Sequence, residues 1–313
     1  VYQWLKDDYK YIIQAWQQRQ AQSWLISGAD NSGQEQLICQ FIAYILCHKR
    51  QGLNPCEKCN SCQLLHEHNH PDLLQLDLEE EQTNLKMEQI NQAIEFANIS
   101  SHLANNKIIY LPKSNALNIN TANALLKILE EPPQNCYFIL ASNNIKRLLP
   151  TILSRCFKVQ LHLPSWNEAL AIAQIHQPQQ TEFWLRFFAG EPLFNPPLSM
   201  EEIEQLINTL TKPSIDNIFK LSTNLDPKRV GMEILLDCLI KWLHDVLLIS
   251  QQQPALYFNQ ANQAILELTK RLNIYKLFGL IDEIIELSPW ASHPLNHKLQ
   301  FENLLLKYQQ IYV

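Results

Sequence analysis

SWLISGADNSGQEQ, residues Ser23 to Gln36, sets a short apolar run, a glycine-bounded loop and the start of a helical pattern in direct succession. Gly28 and Gly33 have the spacing of a phosphate-cradling loop, in which backbone N–H groups and the next helix's N-terminus face phosphate. In a working loop the following two residues are Lys, which contacts the β- and γ-phosphates, and Ser or Thr, whose hydroxyl helps to hold Mg²⁺. Here they are Gln34 and Glu35. The exchange makes the loop more negative by two unit charges. One unit charge about 4 Å from another is worth roughly 4 kcal/mol at an effective dielectric near 20. The sign opposes a triphosphate.

Around the loop, five β-prone runs punctuate the first half: Ser23–Ser27, Leu73–Leu78, Lys107–Leu111, Cys136–Ala141 and Phe157–Leu163. Helical patterns separate them at 34–47, 86–98 and 122–129, the last stopped by Pro132 and Pro133. Strands alternating with helices predict a mostly parallel sheet covered on both faces, with ligands beyond the strands' carboxyl ends. Gly28 and Gly33 fall there. The strand at Lys107–Leu111 runs into Pro112, Lys113 and Ser114 where an acidic residue would complete a Mg²⁺ site. Two separate losses predict that this chain does not hydrolyse ATP.

Length and composition bound the rest. The 313 residues suit two or three domains, and 46% hydrophobic residues with only 6 Gly suit a helix-rich packed protein. The opening VYQWLKDDYK has neither a basic region nor an apolar one, so no secretory signal is expected. No run is long enough for a membrane span. Residues 1–160 carry 14 Lys+Arg against 15 Asp+Glu, and 161–313 carry 11 against 16. Without a basic cluster to neutralise phosphates, tight DNA binding by this chain alone is not expected.

Three of the 8 Cys lie in CEKCNSC, which reads as a metal site in a reducing compartment, and the protein is expected in the cytoplasm. Cys56, Cys59 and Cys62 can surround one tetrahedral Zn²⁺ if a fourth ligand closes the site in a structural role. Cys47 is one candidate for that fourth position, and His48, His66, His68 and His70 are the others. The HEHNH histidines read as a solvated loop, and Cys39, Cys136 and Cys238 as core residues.

NALLKILEEPP (Asn123–Pro133), then CYFILAS, then LPTILSRC (Leu149–Cys156) closely resemble the AAA+ clamp-loader family, and His70-Pro71-Asp72 and the cysteines keep the family's order. The resemblance covers most of residues 20–163. Within that family the non-hydrolysing type of subunit fits best, because the ATPase type keeps the loop Lys and the acidic strand end. The resemblance implies an α/β AAA+ (P-loop NTPase-like) domain at 1–163 with a zinc module at 47–62, a helical lid at 164–199, and an all-α collar domain at 200–313. It favours Cys47 as the fourth zinc ligand.

It also implies a role for Ser154-Arg155-Cys156. The matching Arg of the family reaches ATP bound by a neighbouring subunit and stabilises the transferring phosphoryl group, so Arg155 in trans, with Ser154, is the candidate catalytic pair. An Arg paired with a carboxylate of its own chain is the alternative. The implied partners are the gamma/tau ATPase subunits and the delta subunit of a bacterial DNA polymerase III clamp loader. Through that assembly they include a sliding clamp and primed DNA, in a nucleoid-associated replisome.

Gly190-Glu191-Pro192, in the lid region, lacks the Arg that active subunits carry there. NPPLS at 195–199 reads as a linker. Asp226-Pro227 reads as an N-cap and first helical residue opening a helix to about Ile249, with Leu235, Leu239, Trp242, Val246 and Ile249 on one stripe. Further helices are expected over about 260–287 and 296–311. Two other functions fit single features: an independent P-loop enzyme such as a nucleotide kinase, and a stand-alone zinc-dependent DNA-binding module. The missing Lys, carboxylate and lid Arg weigh against the first, and the charge balance against the second.

Overall fold

The computed structural model describes residues 1–79, 82, 84–103, 105–291 and 296–312. It divides into two compact units: residues 1–172 with 190–193, and residues 173–189 with 194–313.

The first unit runs α1 (Lys6–Gln17), β1 (Ser23–Ser27), α2 (Gln34–Leu46), α3 (Asn60–His66), β2 (Leu73–Gln75), α4 (Met87–Asn98), β3 (Lys107–Leu111), α5 (Ile119–Glu130), β4 (Cys136–Ser142), α6 (Pro150–Leu153) and β5 (Phe157–Gln160). All strands are parallel in the order β2-β3-β4-β1-β5, with Ile26 opposite Ala141 on one side and Val159 on the other. Strand alternation then sorts the apolar side chains to two cores. Trp24, Ile26, Ile108 and Ile139 pack with α1 and α2 on one face, while Leu25, Ile109, Phe138 and Leu140 pack with α4 and α5 on the other. Burial on both faces is why these strands read as unbroken apolar runs. The fold is that of an AAA+ domain, as expected.

β2 and β5 are shorter than their apolar runs. Beyond Gln75 the ladder continues only as Leu76 N–H donating to the Tyr110 carbonyl. α5 begins three residues before its apolar pattern because the Asn118 side chain caps the N–H groups of Asn120 and Thr121.

From α7 (Trp166–His176) the chain is helical: α8 (Thr181–Phe187), α9 (Met200–Thr211), α10 (Ile215–Asn224), α11 (Pro227–Val230), α12 (Met232–Ser250), α13 (Asn262–Thr269), α14 (Ile274–Leu287) and α15 (His297–Gln309). The Asp226 cap forms as expected, but the single helix expected after it is two. Gly231, at φ +94° and ψ 129°, breaks the chain between α11 and α12. The helix expected over 260–287 is also two, with α14 restarted by the Asn273 cap. The stripe from Leu235 to Ile249 is buried, and Trp242 Nε1 donates to Tyr308 Oη at 2.8 Å. The Asp245 carboxylate, wholly buried, accepts N–H bonds from Leu256, Tyr257 and Phe258 and so pins the turn that places Phe258 against Phe183 and Phe187. Among the described residues no helix is long and apolar enough to cross a membrane.

Candidate functional site

The glycine loop leaves β1 and enters α2, the placement its spacing implied. Its interior is closed by groups of the chain itself. The Gln34 side chain is buried, and its Nε2 donates to the carbonyls of Ile26 at 2.7 Å and Ser142 at 3.3 Å. Position 34 therefore stitches the loop to the ends of β1 and β4 instead of reaching outward. Residues Asp30–Ser32 form a 3-10 turn in which Ser32 N–H donates to the Ala29 carbonyl. Glu191 Oε2 accepts from the Asn31 backbone N–H at 3.2 Å and from Asn31 Nδ2 at 2.9 Å. A carboxylate thus takes an N–H group of the kind that a phosphate uses in a working loop.

Gly33 adopts φ +88°, and a Cβ there would lie 2.5 Å from the Tyr2 ring, while Trp4 Nε1 donates to the Ser32 carbonyl. The start of the chain covers this part of the loop. At the neighbouring strand ends, Asn143 Nδ2 donates to Asp30 Oδ2 at 2.7 Å and Ser114 Oγ to the Ala141 carbonyl. Glu35 is exposed. Three carboxylates, Asp30, Glu35 and Glu191, thus stand at or next to the loop. The sequence showed the missing Lys; it gave no sign of Glu191, which meets Asn31 across 160 positions.

Arg155 follows α6 by two residues. Its Nε donates to Glu130 Oε2 at 3.0 Å, its Nη2 pairs with the same oxygen at 2.8 Å, and its Nη1 donates to the Thr151 carbonyl at 3.1 Å. The side chains of Arg155 and Glu130 are 27% and 59% exposed. The alternative of a carboxylate partner within the chain is therefore present, at the surface. Ser154 is exposed and donates its hydroxyl to the same Thr151 carbonyl. Lys146 and Arg147 are exposed.

The four thiols of Cys47, Cys56, Cys59 and Cys62 converge, their sulfurs all within 4.8 Å of one another. Cys47 ends α2, and Cys59 and Cys62 flank the start of α3, so two helix ends set the cluster. Backbone N–H groups of Lys49 and Cys56 point at Cys47 Sγ, and that of Cys59 at Cys56 Sγ. N–H groups, first that of Lys58, hold the Cys56 thiol below its usual pKa. At Cys59 burial is outweighed by the N–H groups of Cys62 and His48 and by the neighbouring thiols, and the pKa falls to about 6. Burial pushes Cys47 and Cys62 up. Such a set can hold a divalent metal ion, whose charge all four thiolates would share.

His70 is not on a solvated loop, as its neighbours suggested; it is buried. Its Nδ1 accepts from the Asp72 N–H at 3.1 Å, so Nε2 carries the proton and donates to Ser61 Oγ at 2.7 Å, which donates to the Leu46 carbonyl. Asp72 in turn accepts from the N–H groups of His102 and Leu103. This relay ties α3 to the end of α2. Cys136 and Cys238 are core residues as expected, whereas Cys39 is exposed because it lies on the outer side of α2.

Comparison with known proteins places these features in a family. A family model described as "DNA polymerase III, delta subunit" matches residues 7–165. The chain is 33% identical over 198 residues to the DNA polymerase III subunit delta' of Pseudomonas aeruginosa, covering 60% of each chain. It is 32% identical over 239 residues to that of Buchnera aphidicola subsp. Acyrthosiphon pisum, covering 72% of this chain and 73% of the relative. The chain thus spans about three fifths of the length of the Pseudomonas relative it matches. A crystal structure of a DNA polymerase III gamma subunit-related protein from Thermotoga maritima shares the fold at a TM-score of 0.51 and 20% identity, over 97% of this chain and 99% of that one. With a family model matched over more than half its residues and relatives that are delta-prime subunits, the chain belongs to the DNA polymerase III delta-prime family.

Proposed function

We propose that this chain is a non-hydrolysing structural subunit of a clamp loader, an assembly with gamma/tau ATPase subunits and a delta subunit that places a sliding clamp on primed DNA in the cytoplasm. In it, Arg155 acts in trans on ATP bound by a neighbouring subunit. The observation that carries the first part is the Gln34 amide, turned inward onto the carbonyls of Ile26 and Ser142 where a lysine would reach for phosphate. Glu191 on Asn31 and the Pro112-Lys113-Ser114 strand end support the same reading. Arg155 lies outside that closed loop, with its side chain partly exposed at the surface.

The division into an ATPase-like part, a lid and a collar is proposed with this function. The outward face of α14 supports a collar role: Tyr275, Phe278 and Ile285 are 86%, 48% and 57% exposed. Apolar side chains clustered outward on one helix suit a surface that other subunits cover. Zn²⁺ is the metal proposed for the cysteine cluster, since four thiolates close a tetrahedral site and leave no position for water, which makes the role structural. Purification with native partners tests the assembly: co-purifying ATPase and delta subunits support it, and a chain that stays alone and turns over ATP contradicts it.

A further inference from the structure

We infer that Glu130 is a positioning residue for Arg155, fixing the guanidinium in the attitude in which it meets a neighbour's phosphate; the inference rests on the trans-acting reading of Arg155. A guanidinium has five N–H donors. Glu130 Oε2 takes one of them, from Nε, and pairs with Nη2 at 2.8 Å, and the Thr151 carbonyl takes one from Nη1. At least one N–H on each terminal nitrogen is left without a hydrogen-bond acceptor among the described residues. Two such N–H groups on neighbouring nitrogens are what bidentate recognition of phosphate needs. An ion pair that existed only to neutralise the arginine has no need to leave them free.

The grip is anchored on rigid parts. Glu130 is the last residue of α5, and the preceding residue, Leu129, is buried and accepts from Ser23 Oγ at the start of β1. Gln22 Nε2 holds the Pro133 and Cys136 carbonyls just beyond. Thr151 belongs to α6, whose Ile152 is fully buried. Contacts from two elements with buried anchors therefore fix the plane of a side chain that would otherwise sample many rotamers. Orientation of this kind acts on the transition state, where a misplacement of about 1 Å costs on the order of a hundredfold. A surface pair of this exposure contributes little to folding.

The test is a reconstituted complex in which the ATPase sites other than the one facing Arg155 are inactivated, carrying Glu130→Gln, Glu130→Asp or Arg155→Ala. Glu130→Gln should lower kcat at that site roughly tenfold, leave KM for ATP within about twofold, and leave the subunit's melting and assembly unchanged. Glu130→Asp, which keeps the charge on a shorter stem, should recover part of the rate. Arg155→Ala should lose roughly 10³-fold or more. If Arg155→Ala turns over at the wild-type rate, the trans-acting reading falls and takes this inference with it. If Arg155→Ala collapses while Glu130→Gln runs at the wild-type rate or faster, the inference about Glu130 alone is overturned. A Glu130→Gln loss matched by lower melting would also overturn it, by assigning Glu130 to structural support.

Discussion

At position 34 the exchange of a cation for an amide changes the loop's shape as well as its charge. The Gln34 side chain is consumed by the Ile26 and Ser142 carbonyls, and a lysine put in its place would still meet a loop whose Asn31 is held by Glu191. Gln34→Lys with Glu35→Thr should give no ATP turnover in the isolated chain, because Glu191 still holds Asn31 and no acid follows Leu111; turnover above background in a radiolabelled-phosphate assay would contradict this. Gly33 is the residue least able to change. Its φ of +88° and the Tyr2 ring at 2.5 Å from an added Cβ mean that Gly33→Ala should cost roughly 1–2 kcal/mol for the left-handed backbone alone, read by chemical denaturation. The lost loop chemistry was legible in the sequence because it lies in neighbouring residues. Glu191 and Glu130 were not, since each meets its partner through the fold.

At the scale of elements, the cysteine cluster and the His70 relay join α2, α3 and the approach to β2. Cys59→Ser should release the metal and raise hydrogen exchange over residues 47–70. The sheet should keep its protection, since no buried residue of its two cores lies in 47–70 and only Leu53 and Leu65 of that segment pack against them at the margin. Retention of one metal per chain after Cys59→Ser would remove that residue from the ligand set. Burial holds the His70 pKa below its usual 6.5, so the folded chain keeps His70 neutral where the unfolded chain already takes up a proton. Its contribution is therefore fully present above about pH 6.5 and is lost as the pH falls from there towards the lowered pKa. His70→Gln should flatten that part of the stability profile at equal metal content; an unchanged slope would place the titration elsewhere. The sequence showed the thiols by their spacing, but composition alone could not separate a buried His70 from its solvated neighbours. The helix after Asp226 illustrates the same limit: its apolar stripe begins only at Leu235, so it carries no trace of the break that the backbone makes at Gly231.

For the whole molecule, the proposed role is that of a chain with its own nucleotide loop closed and a charged group kept for a neighbour. The alternating strands made the sheet legible early, because parallel strands buried on both faces leave uninterrupted apolar runs. The use of the assembled surface is where sequence pattern runs out, and resemblance supplied it. Phe278→Glu should leave the isolated chain folded, since Phe278 is 48% exposed, yet weaken its incorporation into the complex as read by size-exclusion chromatography. The most direct test of the central claim is ATP turnover by the reconstituted complex with Arg155→Ala, measured beside melting of the same subunit preparation. If Arg155 acts in trans, melting stays at the wild-type value, assembly is normal and hydrolysis is lost at the one site that Arg155 faces. Wild-type hydrolysis by a correctly assembled mutant complex would contradict it.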